Sequence, residues 1–216
     1  DEIVNLPPLE QMEALAYRAE VNSTVGLYGL ALSEIARLRK EAALAKVPLI
    51  VDWVADFLEG EEPLVIFGHH HEQTDAIYEG LHKGQKIDPP LPLPLDGRMS
   101  MKRRQEIAQE FAQGKHPMLI CGIAAMSEGI DGLQRRASYL AFTELGWNPS
   151  VHAQAASRLH RNGQTKPVTG YYLVAADTID ERMAELVDAK SSVVSASVGE
   201  MDPRGVLESI IDWVVA

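Results

Sequence analysis

The sequence is poor in the features that cross-link secreted proteins or anchor membrane proteins. Among its 216 residues there is one cysteine, Cys121, which excludes a disulfide framework and a thiolate zinc site. No apolar run approaches the roughly 18 residues that span a bilayer, and residues 1–10 lack a signal-peptide pattern. The chain starts without methionine, which favours a piece of a longer protein. We therefore expect an intracellular protein without a membrane partner, in the cytoplasm or nucleoid if its source is prokaryotic or a phage.

Positive charge is scarce as well. The chain has 20 Lys and Arg against 31 Asp and Glu, which gives a formal net charge of −11. Such a surplus repels phosphate at long range and excludes a protein that binds polyanions over its whole surface. One local basic concentration remains, formed by Arg98, Lys102, Arg103 and Arg104. It is compatible with local contacts to phosphate, and we predict weak DNA affinity for this chain alone at physiological salt.

The sequence also lacks an ATP-hydrolysing site of its own. A P-loop needs a Gly-rich turn that ends in Gly-Lys-Ser/Thr, and Gly114–His116 has neither the hydroxyl nor the upstream glycine. The acidic residues Asp52, Asp56 and Glu59 lie on a predicted helix, whereas a magnesium-binding motif would follow an apolar strand. No GxGxxG fingerprint follows a predicted strand, which argues against a dinucleotide enzyme. We expect that the chain alone neither binds ATP tightly nor hydrolyses it.

What the sequence does contain is an alternation of short apolar runs with helix-like stretches. The predicted strands are Leu64–Phe67, Met118–Cys121, Tyr139–Phe142 and Gly170–Val174. Apolar strands between helices indicate a parallel sheet with helices on both faces. Pro92 and Pro94 remove ladder donors, which places the chain before Leu95 at an edge or in extended chain leading into a short strand. Ligands bind such sheets at the carboxyl ends of the strands. Functional residues are therefore expected near 68–71, 96–98, 122–131 and 143–148.

Two arginines give the strongest chemical signal. Arg158 and Arg161 lie on a predicted helix over 151–161, where a spacing of three directs them to one side. Their guanidinium groups are always charged and match phosphate oxygens, so the pair is suited to stabilise charge on a transferring γ-phosphate. An isolated pair of this kind is most often a solvated helix face. Gln154 before it and Gly163–Gln164 after it favour the functional interpretation.

With these flanks, residues 154–164 resemble motif VI of the superfamily-two helicases, in the version of the Swi/Snf-type DNA-translocating ATPases. Other segments resemble further motifs of that family's second RecA-like lobe, in the same order. These are Val65–His70 for motif IV, Leu95–Ser100 with Arg103, Arg104 and Phe111 for the DGS-S element, Ile123–Leu133 for motif V, and Glu144–Pro149 before motif VI. The resemblance covers residues 28–190 and is strongest to the small annealing-helicase branch and its bacterial or phage relatives.

The resemblance implies an α/β fold: a RecA-like parallel sheet of five or six strands flanked by helices on both faces, with extra N-terminal and C-terminal helices. It divides the chain into three parts. Residues 1–45 are expected to be a helical segment that joins from an absent first lobe, residues 46–190 the C-terminal helicase lobe, and residues 191–216 a helical extension.

The resemblance also assigns site residues. It makes Arg158 and Arg161 arginine fingers that close on ATP held by the first lobe. ATP and Mg²⁺ are the implied cofactors of the intact two-lobe protein, and none is expected in this chain alone. Nucleotide-binding positions are Gln154, Gly129 and Asp131. The positions that contact the DNA backbone are His69, His70, Gly97, Arg98 and Ser127.

The implied function is that of the C-terminal lobe of an ATP-dependent translocase on double-stranded DNA. The implied partners are double-stranded or branched DNA and the first RecA-like lobe, with this chain itself monomeric. The alternative is a catalytically silent DNA- or protein-binding module on the same scaffold, and the arginine spacing favours the working motor. No metal site is predicted, because the consecutive histidines His69–His71 cannot all face one ion in regular structure.

Overall fold

The computed structural model describes residues 33, 35–83, 87, 91–124, 130–146, 149–181 and 183–185. The chain forms two compact units, one of Asp1–Leu38 with Asp202–Ala216 and one of Arg39–Met201. The sheet and the helices that pack on it belong to the second unit. Most of the predicted segment 1–45 and all of the predicted extension 191–216 lie outside the described residues.

A parallel sheet forms the centre of the second unit. Its strands are β1 (Leu64–Gly68), β2 (Met118–Gly122), β3 (Tyr139–Phe142) and β4 (Thr169–Tyr172), in the order β2-β1-β3-β4. Leu95 makes an isolated parallel bridge to Cys121. The described residues thus contain four strands and one bridge, fewer than the five or six strands expected. The edge position predicted for the chain around Leu95 is confirmed.

Helices precede β1 and connect the strands that follow it. They are α1 (35–45), α2 (Val47–Leu58), α3 (His71–Lys83), α4 (Met101–Ala112), a short 3₁₀ helix (Leu133–Arg135) and α5 (Pro149–Ser157). Pro48 lies in the first turn of α2, where its missing N–H costs nothing. The Ser100 hydroxyl caps α4 by accepting a hydrogen bond from the Arg103 backbone N–H at 3.3 Å. In the described part of the chain, no helix is long and apolar enough to cross a membrane.

Alternate residues of β1 belong to two separate hydrophobic cores, as expected of a strand buried on both sides. Leu64 and Ile66 pack with α2 and α3, whereas Val65 and Phe67 pack with α4, α5 and the 3₁₀ helix. Each fully buried side chain of this size contributes about 1.5–3 kcal/mol. The first core adds Ile50, Val54, Ile77 and Leu81, and the second adds Ile107, Phe111, Leu133 and Leu159. The predicted parallel sheet with helices on both faces is confirmed.

The carboxyl ends of β1 and β2 are glycines because a residue of α3 and a residue of the loop before α4 approach them closely. A Cβ atom on Gly68 would lie 2.6 Å from the Thr74 methyl carbon, and one on Gly122 would lie 3.0 Å from Asp96 Cβ. Since the strands are parallel, the loops that follow them meet at one edge of the sheet. That edge carries the predicted residues His69, His70, Gly97 and Arg98.

Candidate functional site

The two predicted arginine fingers converge on one predicted nucleotide-binding residue. Arg161 Nη1 forms an ion pair with the Asp131 carboxylate, and Arg158 Nη1 lies 3.9 Å from the same Asp131 oxygen. The Arg161 side chain is 41% exposed and that of Asp131 62% exposed, whereas Arg158 is 20% exposed. Because exposed ion pairs add little stability, the Asp131 carboxylate holds these arginines only weakly. The two permanent positive charges are therefore available to a ligand.

The path of the chain around these arginines differs from the prediction. Helix α5 ends at Ser157, so the predicted helix over 151–161 is wrong at its C-terminal end. Arg158 lies in the turn that follows, and Arg161 opens a further turn that is closed by the Gln164 N–H. Gly163 adopts a left-handed φ of 99°, which favours glycine and is incompatible with a continuing helix. The arginines therefore meet through Asp131 rather than through helical spacing.

The other predicted nucleotide-binding residues are placed differently. Gln154 is exposed on the last turns of α5, four residues before Arg158. Its backbone carbonyl accepts a hydrogen bond from the Ser157 hydroxyl at 2.7 Å. Gly129, together with the predicted DNA-binding residue Ser127, lies outside the described residues.

The predicted DNA-contact loop after β1 is held by a buried acid, Glu144. The backbone N–H groups of His69 and His70 both donate to Glu144 Oε1 at 2.9 Å, and His70 Nδ1 lies 2.5 Å from Oε2. The Glu144 side chain is 4% exposed. Burial alone would raise its pKa, but these hydrogen bonds hold the pKa of Glu144 below its usual value. The carboxylate therefore stays ionised and joins the loops after β1 and β3.

Arg39 supports the same loops from α1. Its Nη2 donates to the Leu145 carbonyl at 2.7 Å, and the residue is buried. Burial lowers the pKa of Arg39, whereas the Glu144 and Asp180 carboxylates act to raise it. The pKa of His69 is lowered by burial and then by the charge of Arg39. His69 is therefore neutral near pH 7 and is suited to a hydrogen bond, rather than an ion pair, with a phosphate.

Arg98, the predicted DNA-binding cation, is held by two carboxylates. Its Nη1 and Nη2 donate to the two Asp75 oxygens at 2.7 Å each, and its Nε donates to Asp96 at 3.0 and 3.1 Å. The hydrogen bonds to Asp75 and Asp96 hold the pKa of Arg98 above its usual value. Asp96 is buried and Asp75 is 40% exposed. A phosphate that binds Arg98 must therefore compete with Asp75. Gly97 is exposed in the same loop.

The histidine run divides between different acids. His70 faces Glu144, whereas His71 Nδ1 lies 3.1 Å from Asp96 Oδ2. Within the described ranges, no group of three or more His, Cys, Asp or Glu side chains is placed to hold a metal ion.

Three supporting residues were missed in the sequence. Glu144 entered only as the start of a motif, and Asp75 and Gln105 were not identified. Gln105 makes two hydrogen bonds to the backbone of Asp131. An acid two residues after a strand was a signal for Glu144. No local pattern marks Asp75 or Gln105, because their partners are distant in the sequence.

A buried histidine beside the site makes stability depend on pH. His152 Nε2 accepts a hydrogen bond from the Gly146 N–H at 2.9 Å, and burial lowers the pKa of His152. Protonation of Nε2 would turn the acceptor into a donor and break this bond. Because the unfolded chain takes up the proton first as pH falls below about 6.5, the stabilisation is complete above that pH. We expect it to be lost as pH falls toward the folded-state pKa.

The test compares the free energy of unfolding in urea at pH about 7.5 and about 5.5, on either side of the ordinary histidine pKa. His152→Gln keeps an acceptor for Gly146 and removes the titration. We expect a smaller loss of stability at low pH in His152→Gln than in the unmodified chain. The loss that remains in the variant is expected to come from protonation of His69. Equal losses in the two proteins would contradict this role of His152.

The sequence is similar to that of known proteins. The model of the helicase conserved C-terminal domain matches residues 49–163, more than half of the chain. The chain is 34% identical over 154 residues to the bovine SWI/SNF-related matrix-associated actin-dependent regulator of chromatin subfamily A-like protein 1, covering 70% of this chain and 16% of that protein. It is 27% identical over 166 residues to the human DNA annealing helicase and endonuclease ZRANB3, covering 76% of this chain and 15% of that protein.

A solved structure shares the fold. The crystal structure of the C-terminal part of the Fun30 ATPase domain matches with a TM-score of 0.58 at 24% identity, over 76% of this chain and 53% of that one. The chain spans about a sixth of the length of the curated relatives described above. The family match, the fold and the order of the motifs agree. The chain belongs to the helicase conserved C-terminal domain family, and its sequence is similar to that of SWI/SNF-related proteins.

Proposed function

We propose that this lobe works in an intracellular, ATP-driven motor that translocates on double-stranded DNA, and that Arg158 and Arg161 are its arginine fingers. The observation that carries the proposal is the convergence of both arginines beside Asp131. The human relative is named as a DNA annealing helicase, which supports DNA as the substrate.

The residues present fit the phosphate end of a nucleotide. Arg161 offers an accessible fork of donors and Arg158 a more buried one, and their charge would stabilise the negative charge that develops on a transferring phosphoryl group. Bound ATP with Mg²⁺ supplies the phosphoryl group and the metal charge. The described residues offer no acidic cluster for the metal, which supports a first lobe as the holder of both. In this proposal the chain alone does not hydrolyse ATP.

Asp131 gives the arginines a counter-charge when no nucleotide is present. A carboxylate at this point would repel a phosphate, so Asp131 acts on the nucleotide through the arginines rather than by direct contact. When the two lobes close, the γ-phosphate replaces or shares Asp131 as the partner of Arg161. This exchange makes the fingers responsive to closure of the cleft.

The DNA contacts in this proposal come from the loops after β1 and before α4. His69 and His70 present their side chains from a loop that Glu144 fixes, while Gly97 and Arg98 lie in the loop next to it. Contacts to phosphate do not distinguish one base sequence from another, and they weaken as the salt concentration rises. The net charge of −11 opposes binding by this chain alone. Affinity for duplex DNA is therefore expected to be low at physiological salt.

Asp75 gives this proposal a gain-of-affinity test. Asp75→Asn removes the carboxylate that competes for the Arg98 fork, so we expect duplex DNA to bind several-fold more tightly, about 1 kcal/mol. Glu79→Gln is the matched control, since Glu79 lies one turn further along α3, pairs with Lys83 and carries the same charge. The measurement is fluorescence anisotropy of a labelled duplex at low salt.

The outcomes separate local from general charge effects. Arg98→Ala should weaken binding and reduce the salt slope by about one counterion, and it should cancel the gain from Asp75→Asn. Equal gains from Asp75→Asn and Glu79→Gln would show a general charge effect and contradict the contact through Arg98.

Displacement of a third strand from duplex DNA tests the proposed function directly. The intact two-lobe protein is expected to displace a bound third strand only when ATP is hydrolysed, because a motor that tracks the duplex removes obstacles in its path. DNA binding without ATP-dependent displacement would instead support the silent binding module.

A further inference from the structure

Gln105 holds the backbone of Asp131 from both sides. Its side-chain Nε2 donates to the Asp131 carbonyl at 3.1 Å, and its Oε1 accepts from the Asp131 N–H at 3.3 Å. A carboxamide has one donor and one acceptor side, so it pairs with a residue's backbone much as a neighbouring strand does. These two hydrogen bonds use only the backbone of Asp131 and leave its carboxylate facing Arg158 and Arg161.

The segment that carries Asp131 needs such support. Asp131 lies in irregular chain between two buried anchors, Ile130 and Leu133. Gly132 has a left-handed φ of 104°, which favours glycine, and glycine has no side chain that could pack and fix this segment. The exposed Asp131 carboxylate is thus not oriented by packing. The hydrogen bonds to Gln105 join it to a regular helix, α4, 26 residues away in the sequence.

A second amide joins this segment to the arginines. Gln134 Oε1 accepts from the Gly132 N–H at 3.1 Å, and Gln134 Nε2 lies 3.5 Å from the Asn162 carbonyl. Asn162 directly follows Arg161. The Asp131 segment and the arginine turn are therefore linked to each other, and Gln105 connects this unit to α4, whose capping residue Ser100 lies two positions after Arg98.

We propose that Gln105 is a positioning residue for the arginine fingers: it fixes Asp131 so that Arg158 and Arg161 are held ready for the nucleotide. The inference rests on the proposed function. Gln105 touches neither nucleotide nor DNA in this proposal. Its loss therefore lowers kcat, while KM for ATP and the DNA affinity stay nearly unchanged.

The test uses DNA-stimulated ATP hydrolysis by the intact two-lobe protein. Gln105→Met keeps the size of the side chain and removes both hydrogen bonds, and we expect kcat to fall about ten-fold. Gln105→Glu keeps an acceptor, but its carboxylate repels the Asp131 carbonyl. We expect kcat to fall as far in this variant as in Gln105→Met. Gln109→Met is the matched control, since Gln109 is exposed one turn further along α4, and its kcat should stay within about two-fold.

A double-mutant cycle separates positioning from general destabilisation. If Gln105 acts through Asp131, Gln105→Met should cause no further loss in a protein that already carries Asp131→Ala. An additional ten-fold loss there, or an unchanged kcat in Gln105→Met, would overturn the inference. Failure of the proposed function has a different signature, because Arg161→Ala would then leave turnover intact.

Discussion

Replacement of Arg161 by alanine is expected to abolish DNA-stimulated ATP turnover in the intact two-lobe protein. Where such arginines have been removed from phosphoryl-transfer enzymes, the loss in kcat is about 10³–10⁵. The Arg161 guanidinium is accessible and is held beside Arg158 by Asp131. ATP binding should persist, because in this account the first lobe holds the nucleotide. Steady-state hydrolysis with saturating duplex DNA and a separate nucleotide-binding titration measure the two quantities.

Two variants control this result. Arg135→Ala removes an exposed arginine four residues beyond Asp131 and should change kcat by no more than about two-fold. Arg161→Lys keeps the charge and loses the fork, so it should recover only part of the activity. Full turnover in Arg161→Ala would show that the assignment of motif VI is wrong and would favour the silent binding module instead.

Replacement of Glu144 by alanine is expected to give a large loss of stability. The change removes the acceptor of three hydrogen bonds, leaves the N–H groups of His69 and His70 without it, and takes a counter-charge from buried Arg39. Breaking a buried charged cluster of this kind costs about 3–5 kcal/mol. Urea unfolding of the chain measures the change. Glu62→Ala, which removes an acid paired with Lys166 at 3.1 Å on the surface, should cost at most about 1 kcal/mol.

Glu144 should also determine how the free energy of unfolding falls at acid pH. The pKa of Glu144 is held below its usual value, so its contribution is fully present above about 4.3, the ordinary pKa of glutamate. The contribution is lost as pH falls through the folded-state pKa. Glu144→Gln should therefore flatten the stability curve in this range. A curve that is equally steep with and without the carboxylate would contradict the role of Glu144.

The layers of the fold were predictable because they depend on local pattern. In β1, residues on both sides of the strand are apolar, which occurs when helices cover both faces of a sheet. The edge position near Leu95 followed from Pro92 and Pro94. The number of strands was not predictable in this way. Leu95 contributes a single bridge to Cys121, and a one-residue bridge leaves no periodicity in the sequence.

The site was predictable where its chemistry is local and not where it depends on distant contacts. The spacing of Arg158 and Arg161 predicted that the two side chains lie together, although α5 ends at Ser157, before either of them. The pairing of Glu144 with His70 spans 74 residues, and that of Arg98 with Asp75 spans 23. Side chains brought together across such distances by the sheet have no signature in a short window of sequence.

ATP hydrolysis by the intact two-lobe protein and by this chain alone, each with and without duplex DNA, tests the central claim most directly. The account predicts turnover only by the intact protein, strongly stimulated by DNA, and none by the chain alone, because the chain supplies the arginines but not the nucleotide-holding machinery. Turnover by the chain alone, or turnover by the intact protein that is indifferent to DNA, would contradict the account.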